Sequence, residues 1–346
     1  MPRCQLLVQH RHIEAEHRIG HKGQLGWGWK SGQPWRILGA GWTEDDELSL
    51  RDRAESLALR AILGWFRRMS PVGASDLGAR LARRFGPWRR GHAIALDNLR
   101  RSMPELAEED CQRIAMEAWE NLGRVLAEMV HLSAIVQITE SGPGVEIEGA
   151  EHARGLAEAG GPMLFFSGHL ANWEVFLPYV NRHEWRMAGL FRSLNGPEAT
   201  RMLSQLRFDA AGGEFPLFSK GTKGARDALG HLQQGGRLGM LVDQKLNEGI
   251  PVPLFGRDAL TPSALAKYAR KFRCPVVPVR AVRLGPARYR IIVEPPMELP
   301  ASADLVADVR AVTVEVNRVV ERWVRERPGE WLWMQRRWPR DATSPR

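Results

Sequence analysis

The sequence predicts an α/β fold: a central, mostly parallel sheet flanked by helices, with amphipathic helices leading into it. Beyond Gly142-Pro143-Gly144, short apolar runs alternate with longer segments of helical period, the order that builds strand–helix–strand units. Before that point, apolar residues recur at helical spacing only. A chain of 346 residues is long for a single core, yet an α/β enzyme of this length can form one catalytic domain with an N-terminal appendage.

Taken in order, residues 1–50 are rich in Gly, Trp and charge, as in Gly26-Trp27-Gly28-Trp29, and show neither period. They are expected to form a poorly defined, disordered leader. Residues 54–69 set Ala54, Leu57, Ala58, Ala61, Ile62, Trp65 and Met69 against Ser56, Arg60 and Arg67, an amphipathic helix. Residues 76–85 repeat the device, with Leu77, Leu81 and Phe85 opposite Arg80, Arg83 and Arg84. After the break at Ser102-Met103-Pro104, residues 110–129 carry Ile114, Ala118, Trp119, Leu122, Leu126 and Met129 on a stripe that reads as core. Strands are predicted at 145–147, 163–166, 187–191, 238–242, 276–282 and 289–293. Helices are predicted at 150–159, 172–180, 198–211, 222–234, 262–272 and 303–325, before a Trp-rich tail. The chain thus divides into a leader (1–50), a helical, membrane-associating region (51–131) and a catalytic core (132–340).

A formal charge of +9 favours an anionic partner, whether lipid headgroups, phosphorylated substrates, acidic carrier proteins or nucleic acid. No nucleic-acid recognition module accompanies the arginines, so that class is set aside. Apolar helical faces with basic flanks, including Arg89 and Arg90, suit an anionic membrane surface, where each nearby Lys or Arg contributes about 1 kcal/mol. No apolar run reaches the roughly 18 residues that suggest a spanning helix, and no secretory signal opens the chain. A peripheral position on the cytoplasmic side is expected. Cys4, Cys111 and Cys274 lie far apart, without a CxxC pair, and suggest neither a disulfide framework nor a zinc site.

The chemistry is concentrated at Gly168-His169-Leu170-Ala171-Asn172-Trp173-Glu174, which follows a buried-looking strand, and the carboxyl ends of such strands are where ligands collect. Residues five apart on one helix point about 140° apart, so His169 and Glu174 can meet only with His169 in the preceding turn. Glu174, in the first helical turn, would then accept a hydrogen bond from one imidazole nitrogen, fix the tautomer and support His169 as general base. By itself the spacing is a weak signal, since most His–acid pairs are structural. No HExxH or similar ligand set accompanies it, and no metal is expected. Asp243 ends an apolar strand, where it would hold an arginine, bind a ligand or cap the next turn.

The residues nevertheless form an ordered series of blocks. Phe165-Phe166-Ser167-Gly168-His169-Leu170-Ala171-Asn172-Trp173-Glu174 is followed by Phe191-Arg192 and Leu206-Arg207. Asp243-Gln244-Lys245, Gly249-Ile250-Pro251-Val252-Pro253-Leu254-Phe255-Gly256 with Thr261, Cys274-Pro275-Val276-Val277-Pro278-Val279, and the segment from Arg327 to Trp338 complete it. Over residues 50–340 this resembles the bacterial lipid A secondary (lauroyl and myristoyl) acyltransferases, with a glycerolipid acyltransferase-like core.

The resemblance implies a catalytic dyad of His169 and Glu174, and transfer of an acyl chain from an acyl carrier protein thioester to a hydroxyl of a lipid A precursor. It implies no cofactor, and a place on the cytoplasmic face of the bacterial inner membrane. Direct transfer agrees with the absence of a GxSxG elbow or a recognisable catalytic cysteine block. Arg192, Arg207, Asp243 and Gln244 become candidate substrate-binding residues, the arginines because a guanidinium fork suits phosphate. Residues 252–256 line a groove or make a rigid turn that packs Phe255. Trp331, Trp333 and Trp338 sit at the membrane interface or cover the core. Two departures stand out: residues 1–50 match nothing in the family, and the arginine-interrupted segment 54–69 replaces its usual N-terminal spanning helix. Another glycolipid acceptor, such as a phosphatidylinositol mannoside, or an aminolipid is the alternative within the class; an inactive membrane-binding relative is the alternative outside it.

Overall fold

A computed structural model describes residues 50–191 and 197–339, all of which fall in one compact unit. Among the described residues, five α-helices come first: α1 (Leu50–Arg67), α2 (Pro71–Phe85), α3 (Arg90–Ser102), α4 (Glu108–Glu128) and the short α5 (Leu132–Ile135). Then follow β1 (Gly144–Glu148), α6 (Glu151–Ala159), β2 (Met163–Ser167), α7 (Phe176–Arg182), β3 (Met187–Phe191), α8 (Pro197–Ala211), β4 (Leu217–Ser219), α9 (Thr222–Gln233) and β5 (Arg237–Leu241). The chain continues through the hairpin β6 (Ile250–Leu254) and β7 (Arg257–Thr261), α10 (Ala264–Phe272), β8 (Val276–Gly285), β9 (Arg288–Val293) and α11 (Leu305–Glu326).

The seven-stranded sheet has the order β1-β9-β8-β2-β5-β3-β4. Its strands run parallel except where β8 meets β9, so β9 and β1 are reversed together. Strand β2 is buried on both sides because its side chains alternate between two cores. Leu164 and Phe166 pack with Val312, Val316 and Trp323 of α11. Met163 and Phe165 pack with Val277, Ile291 and Val175. The predicted mostly parallel, helix-covered sheet is therefore the fold observed. The register also positions the chemistry: Ser167 pairs with Leu241, which places His169 and Asp243, each two residues further on, at adjacent strand ends.

Helix α2 starts at a capped terminus, with Ser70 Oγ accepting from Gly73 N at 3.1 Å and Pro71 in the first turn. It lies against α4 at Gly78 and Gly123; a Cβ on Gly78 would come within 2.3 Å of the Gly123 carbonyl oxygen. Small residues thus let the two backbones touch, and only one face of α2 is left outward.

Several elements differ from expectation. The helix predicted from residue 172 begins at Phe176, because Asn172 and Glu174 are held in a turn by hydrogen bonds described below. Residues 90–102 form a helix and residues 217–219 a short strand, neither of which was predicted. Residues 250–261 form a hairpin in which Pro251 and Pro253 point outward while Val252 and Leu254 are buried. Phe255, at its tip, is buried against Trp331, Trp333 and Trp338, and its N–H donates to Glu321 Oε2 at 2.6 Å. Those tryptophans are themselves buried. They cover the core, which corrects the membrane-interface alternative for the tail.

Candidate active site

His169 lies in the loop after β2, and the loop is held from three sides. Leu170 pairs antiparallel with Trp331; Leu332 N donates to His169 O at 3.2 Å, and Ala171 N to Glu330 O at 2.9 Å. The tail therefore acts as a strap across the loop. Asn121 of α4 donates to both Ala171 O (2.9 Å) and Glu330 O (3.1 Å), tying loop and strap together. Ala171 takes a φ of 46°, a sparsely populated conformation for a residue with a Cβ.

Beneath the loop is a fully buried carboxylate, Glu128. It accepts from Asn172 Nδ2 at 2.9 Å, Ser75 Oγ at 2.6 Å, Arg283 Nη1 at 2.7 Å, Ala287 N at 3.1 Å and the Tyr289 hydroxyl. Burial pushes the Tyr289 hydroxyl far above its usual range, so it stays protonated and donates. Asn172 uses its other end to accept from Glu174 N at 3.1 Å. This satisfied network fixes the turn from 172 to 175, as buried polar groups must be bonded to be tolerated.

The imidazole is oriented by Asp243. Its Nδ1 lies 2.7 Å from Asp243 Oδ1, while the His169 backbone N–H donates to Oδ2 at 2.8 Å. Trp331 Nε1 donates to the same Oδ2 at 2.7 Å. Burial pushes the Asp243 carboxyl up, but His169 and these donors outweigh burial and hold it at about 2. An ionised acceptor on Nδ1 puts the ring proton there and leaves Nε2 with a lone pair. Gly168 leaves room for the arrangement, since a Cβ there would lie 3.2 Å from Asp243 Oδ2 and 2.9 Å from Leu170 Cδ1. Gln244 Nε2 lies 3.1 Å from His169 Nε2, and the Trp173 ring stands beside the imidazole with centroids 5.0 Å apart.

Glu174 has a different partner from the one the spacing suggested. Both its oxygens are taken by Arg207 of α8, at 2.7 and 2.8 Å, in a bidentate pair that is largely buried. Burial raises the Glu174 carboxyl, but the Arg207 charge and hydrogen bonds, with His169 nearby, outweigh it and keep the group below its usual range. The hydrogen bond that the imidazole was expected to donate to Glu174 is thus donated to Asp243 instead, because the turn directs Glu174 toward α8. Glu174 contributes a negative charge beside the ring. Of the six candidates, five are described, and His169, Asp243 and Gln244 converge in direct contact. Arg192 lies outside the described residues.

Behind Asp243 sits the fully buried Arg337, whose Nη2 donates to Thr261 Oγ1 at 2.7 Å and Nη1 to Leu260 O at 3.2 Å. Burial pushes its guanidinium down to about 10, against the favourable charge of Asp243. The supporting residues Asn121, Glu128 and Arg283 were not singled out from the sequence, and Trp331 was named there only for the membrane interface or the core. Asn121 and Glu128 did carry a signal: they fall on the same helical stripe as Ile114, Ala118 and Val125, and polar residues at core positions need buried partners.

An oriented imidazole that turns an Nε2 lone pair outward at the ends of parallel strands can take a proton from a hydroxyl, and among the described residues no serine or cysteine side chain contacts the imidazole. Residues 51–340 match the family described as bacterial lipid A biosynthesis acyltransferase. The chain belongs to that family. No individual curated protein matches it. Membership makes the chain an acyltransferase of lipid A biosynthesis, which requires an acyl donor and a lipid acceptor. Among the described residues no helix is long and apolar enough to cross a membrane.

Proposed function

We propose that the protein transfers an acyl chain from an acyl carrier protein thioester directly to a hydroxyl of a lipid A precursor, with His169 as general base and Glu174 as an accompanying charge. The observation that carries this reading is the Asp243–His169 contact, which leaves Nε2 as a proton acceptor at the strand ends. The acceptor hydroxyl gives its proton to Nε2 as its oxygen attacks the thioester carbonyl. The proton then passes to the departing thiolate. Asp243 stabilises the imidazolium from one side and the Glu174 carboxylate does so through space. Arg207 is engaged with Glu174 and borders the site, and Arg192 is the remaining candidate for a substrate phosphate.

Membrane association on the cytoplasmic face of the inner membrane is part of the same proposal, assigned to residues 51–131. Its support is the set of exposed apolar side chains Leu57, Ile62, Trp65, Leu81, Phe85 and Trp88. Arg84 stacks over Phe85 and Trp88 among them. Large exposed apolar groups amid arginines fit an anionic lipid interface.

The test incubates purified protein with acyl carrier protein thioesters and a tetra-acylated lipid A precursor, followed by mass spectrometry. One added acyl mass on the precursor is expected, and none with His169→Ala. A wild-type protein that acylates no glycolipid would end this reading.

A further inference from the structure

Gln244 follows Asp243 directly, and its side chain bridges the reactive nitrogen of His169 and Lys220, which follows β4. Its Nε2 lies 3.1 Å from His169 Nε2, and its Oε1 accepts from Lys220 Nζ at 3.4 Å. Chemistry at both ends fixes how the amide faces. An ammonium has donors only, so the carbonyl oxygen must be turned toward Lys220. With the Nδ1 proton engaged by Asp243, His169 Nε2 offers only a lone pair, so the NH2 group must be turned toward the ring.

We propose that Gln244 is a catalytic residue whose amide N–H stabilises the oxyanion formed at the thioester carbonyl, with Lys220 as the positioning residue that orients and polarises the amide. This rests on the reading of His169 as base and adds a second group to the reaction.

The amide occupies the place at the lone pair that the acceptor hydroxyl must take. The hydroxyl displaces it and lies within about 3 Å of Nε2, so the carbonyl carbon it attacks is adjacent and the developing oxyanion is one bond further. A side chain tethered through Oε1 to Lys220 needs only to pivot to bring an N–H to that oxygen. The carbon–oxygen bond forms as the hydroxyl proton passes to Nε2, and the carbonyl π electrons move onto oxygen. They return as the carbon–sulfur bond breaks, and the proton on Nε2 goes to the thiolate, releasing the carrier thiol. A neutral amide suits both positions because it donates to the lone pair first and to the oxyanion afterwards, with no change of protonation. The ammonium at its oxygen strengthens the second contact.

The experiment compares wild type with Gln244→Met, which keeps the side-chain bulk, in two assays with acyl carrier protein thioesters. One contains the tetra-acylated lipid A precursor; the other contains water alone and follows thiol release, because hydrolysis passes through the same oxyanion. The expected result is a fall in kcat of about 100- to 1000-fold in both, the usual effect of losing one oxyanion donor, with KM little changed. Lys220→Met should lower kcat less, and Lys220→Arg should restore most of it. Ring-nitrogen NMR should show His169 Nε2 altered in Gln244→Met. A kcat near that of wild type, a faster enzyme, a loss confined to KM, or an unaltered Nε2 signal overturns the proposal. A wild type that releases thiol to water yet acylates no glycolipid strikes the proposed acceptor instead, and Gln244 is then judged on hydrolysis.

Discussion

Trp331 Nε1 donates a 2.7 Å hydrogen bond to Asp243 Oδ2, the carboxylate whose other oxygen holds the His169 ring. A tryptophan in the tail is thus part of the device that orients the base. Because Oδ2 is occupied by Trp331 and the His169 backbone N–H, only Oδ1 faces the imidazole, and the ring has one orientation open to it.

Replacing Asp243 by Asn tests this orientation. The amide can still accept from Trp331, so the fold is expected to persist, but an NH2 facing Nδ1 favours the tautomer with its proton on Nε2. A base in the wrong tautomer cannot accept the hydroxyl proton. The expected loss in kcat is on the order of a thousandfold or more, as for other catalytic imidazoles deprived of their carboxylate, measured as steady-state acyl transfer. A variant with wild-type kcat would remove Asp243 from the mechanism.

The Glu174–Arg207 pair should behave as one unit in unfolding experiments. Glu174→Gln leaves the guanidinium largely buried without its counter-charge, at a cost of about 3 kcal/mol. Arg207→Gln strands the carboxylate in the same way. The double substitution removes both charges and should cost clearly less than the two singles added together. Urea denaturation of the four proteins measures the coupling; strictly additive losses would show that the two side chains act independently.

The sheet and its helices were legible in the sequence because strands such as Met163–Ser167, buried on both faces, are unbroken apolar runs, and helices such as Glu108–Glu128 keep their period over several turns. The three-residue strand Leu217–Ser219 is too short to show a period, and in the helix Arg90–Ser102 the apolar stripe is narrow among charges. His169, Asp243 and Gln244 could be singled out from position and family resemblance. Their pairing could not, because it follows from the register of β2 with β5. Spacing along the chain pointed to Glu174, five residues beyond His169, whereas the partner lies just past the end of a strand more than seventy residues away. The role of Trp331 was invisible for the same reason: the strap that carries it meets the loop only in three dimensions.

Acid should weaken the fold partly through Asp243. Its carboxyl is held at about 2 in the folded protein against an ordinary value of 3.8. Above about pH 5 the group is ionised in both folded and unfolded chains, and its stabilisation is complete. As pH falls toward about 2 the unfolded chain takes up the proton first, so stability drops across that window by about 2 kcal/mol. Asp243→Asn has no carboxyl to titrate there and should show a shallower decline. Equilibrium denaturation at a series of acid pH values makes the comparison, and parallel curves would contradict the linkage.

The outward surface of the N-terminal helices gives the last prediction. Phe85 and Trp88 are 49% and 68% exposed and lie outside the core, so replacing both by Ser removes little packing and should lower the thermal midpoint only slightly. The helix that carries Phe85 cannot be deleted without harm, since its Gly78 touches the Gly123 carbonyl of α4; point substitutions therefore separate docking from folding. Fully burying an aromatic side chain contributes roughly 1.5–3 kcal/mol, so partial insertion of two should account for at least about a tenfold difference in partition onto anionic phospholipid vesicles. Because arginines share the surface, binding should also weaken as salt rises and screens them. Removal of residues 1–50 should change little. Equal sedimentation of wild type and Phe85→Ser/Trp88→Ser with anionic vesicles would place the membrane contact elsewhere on the protein.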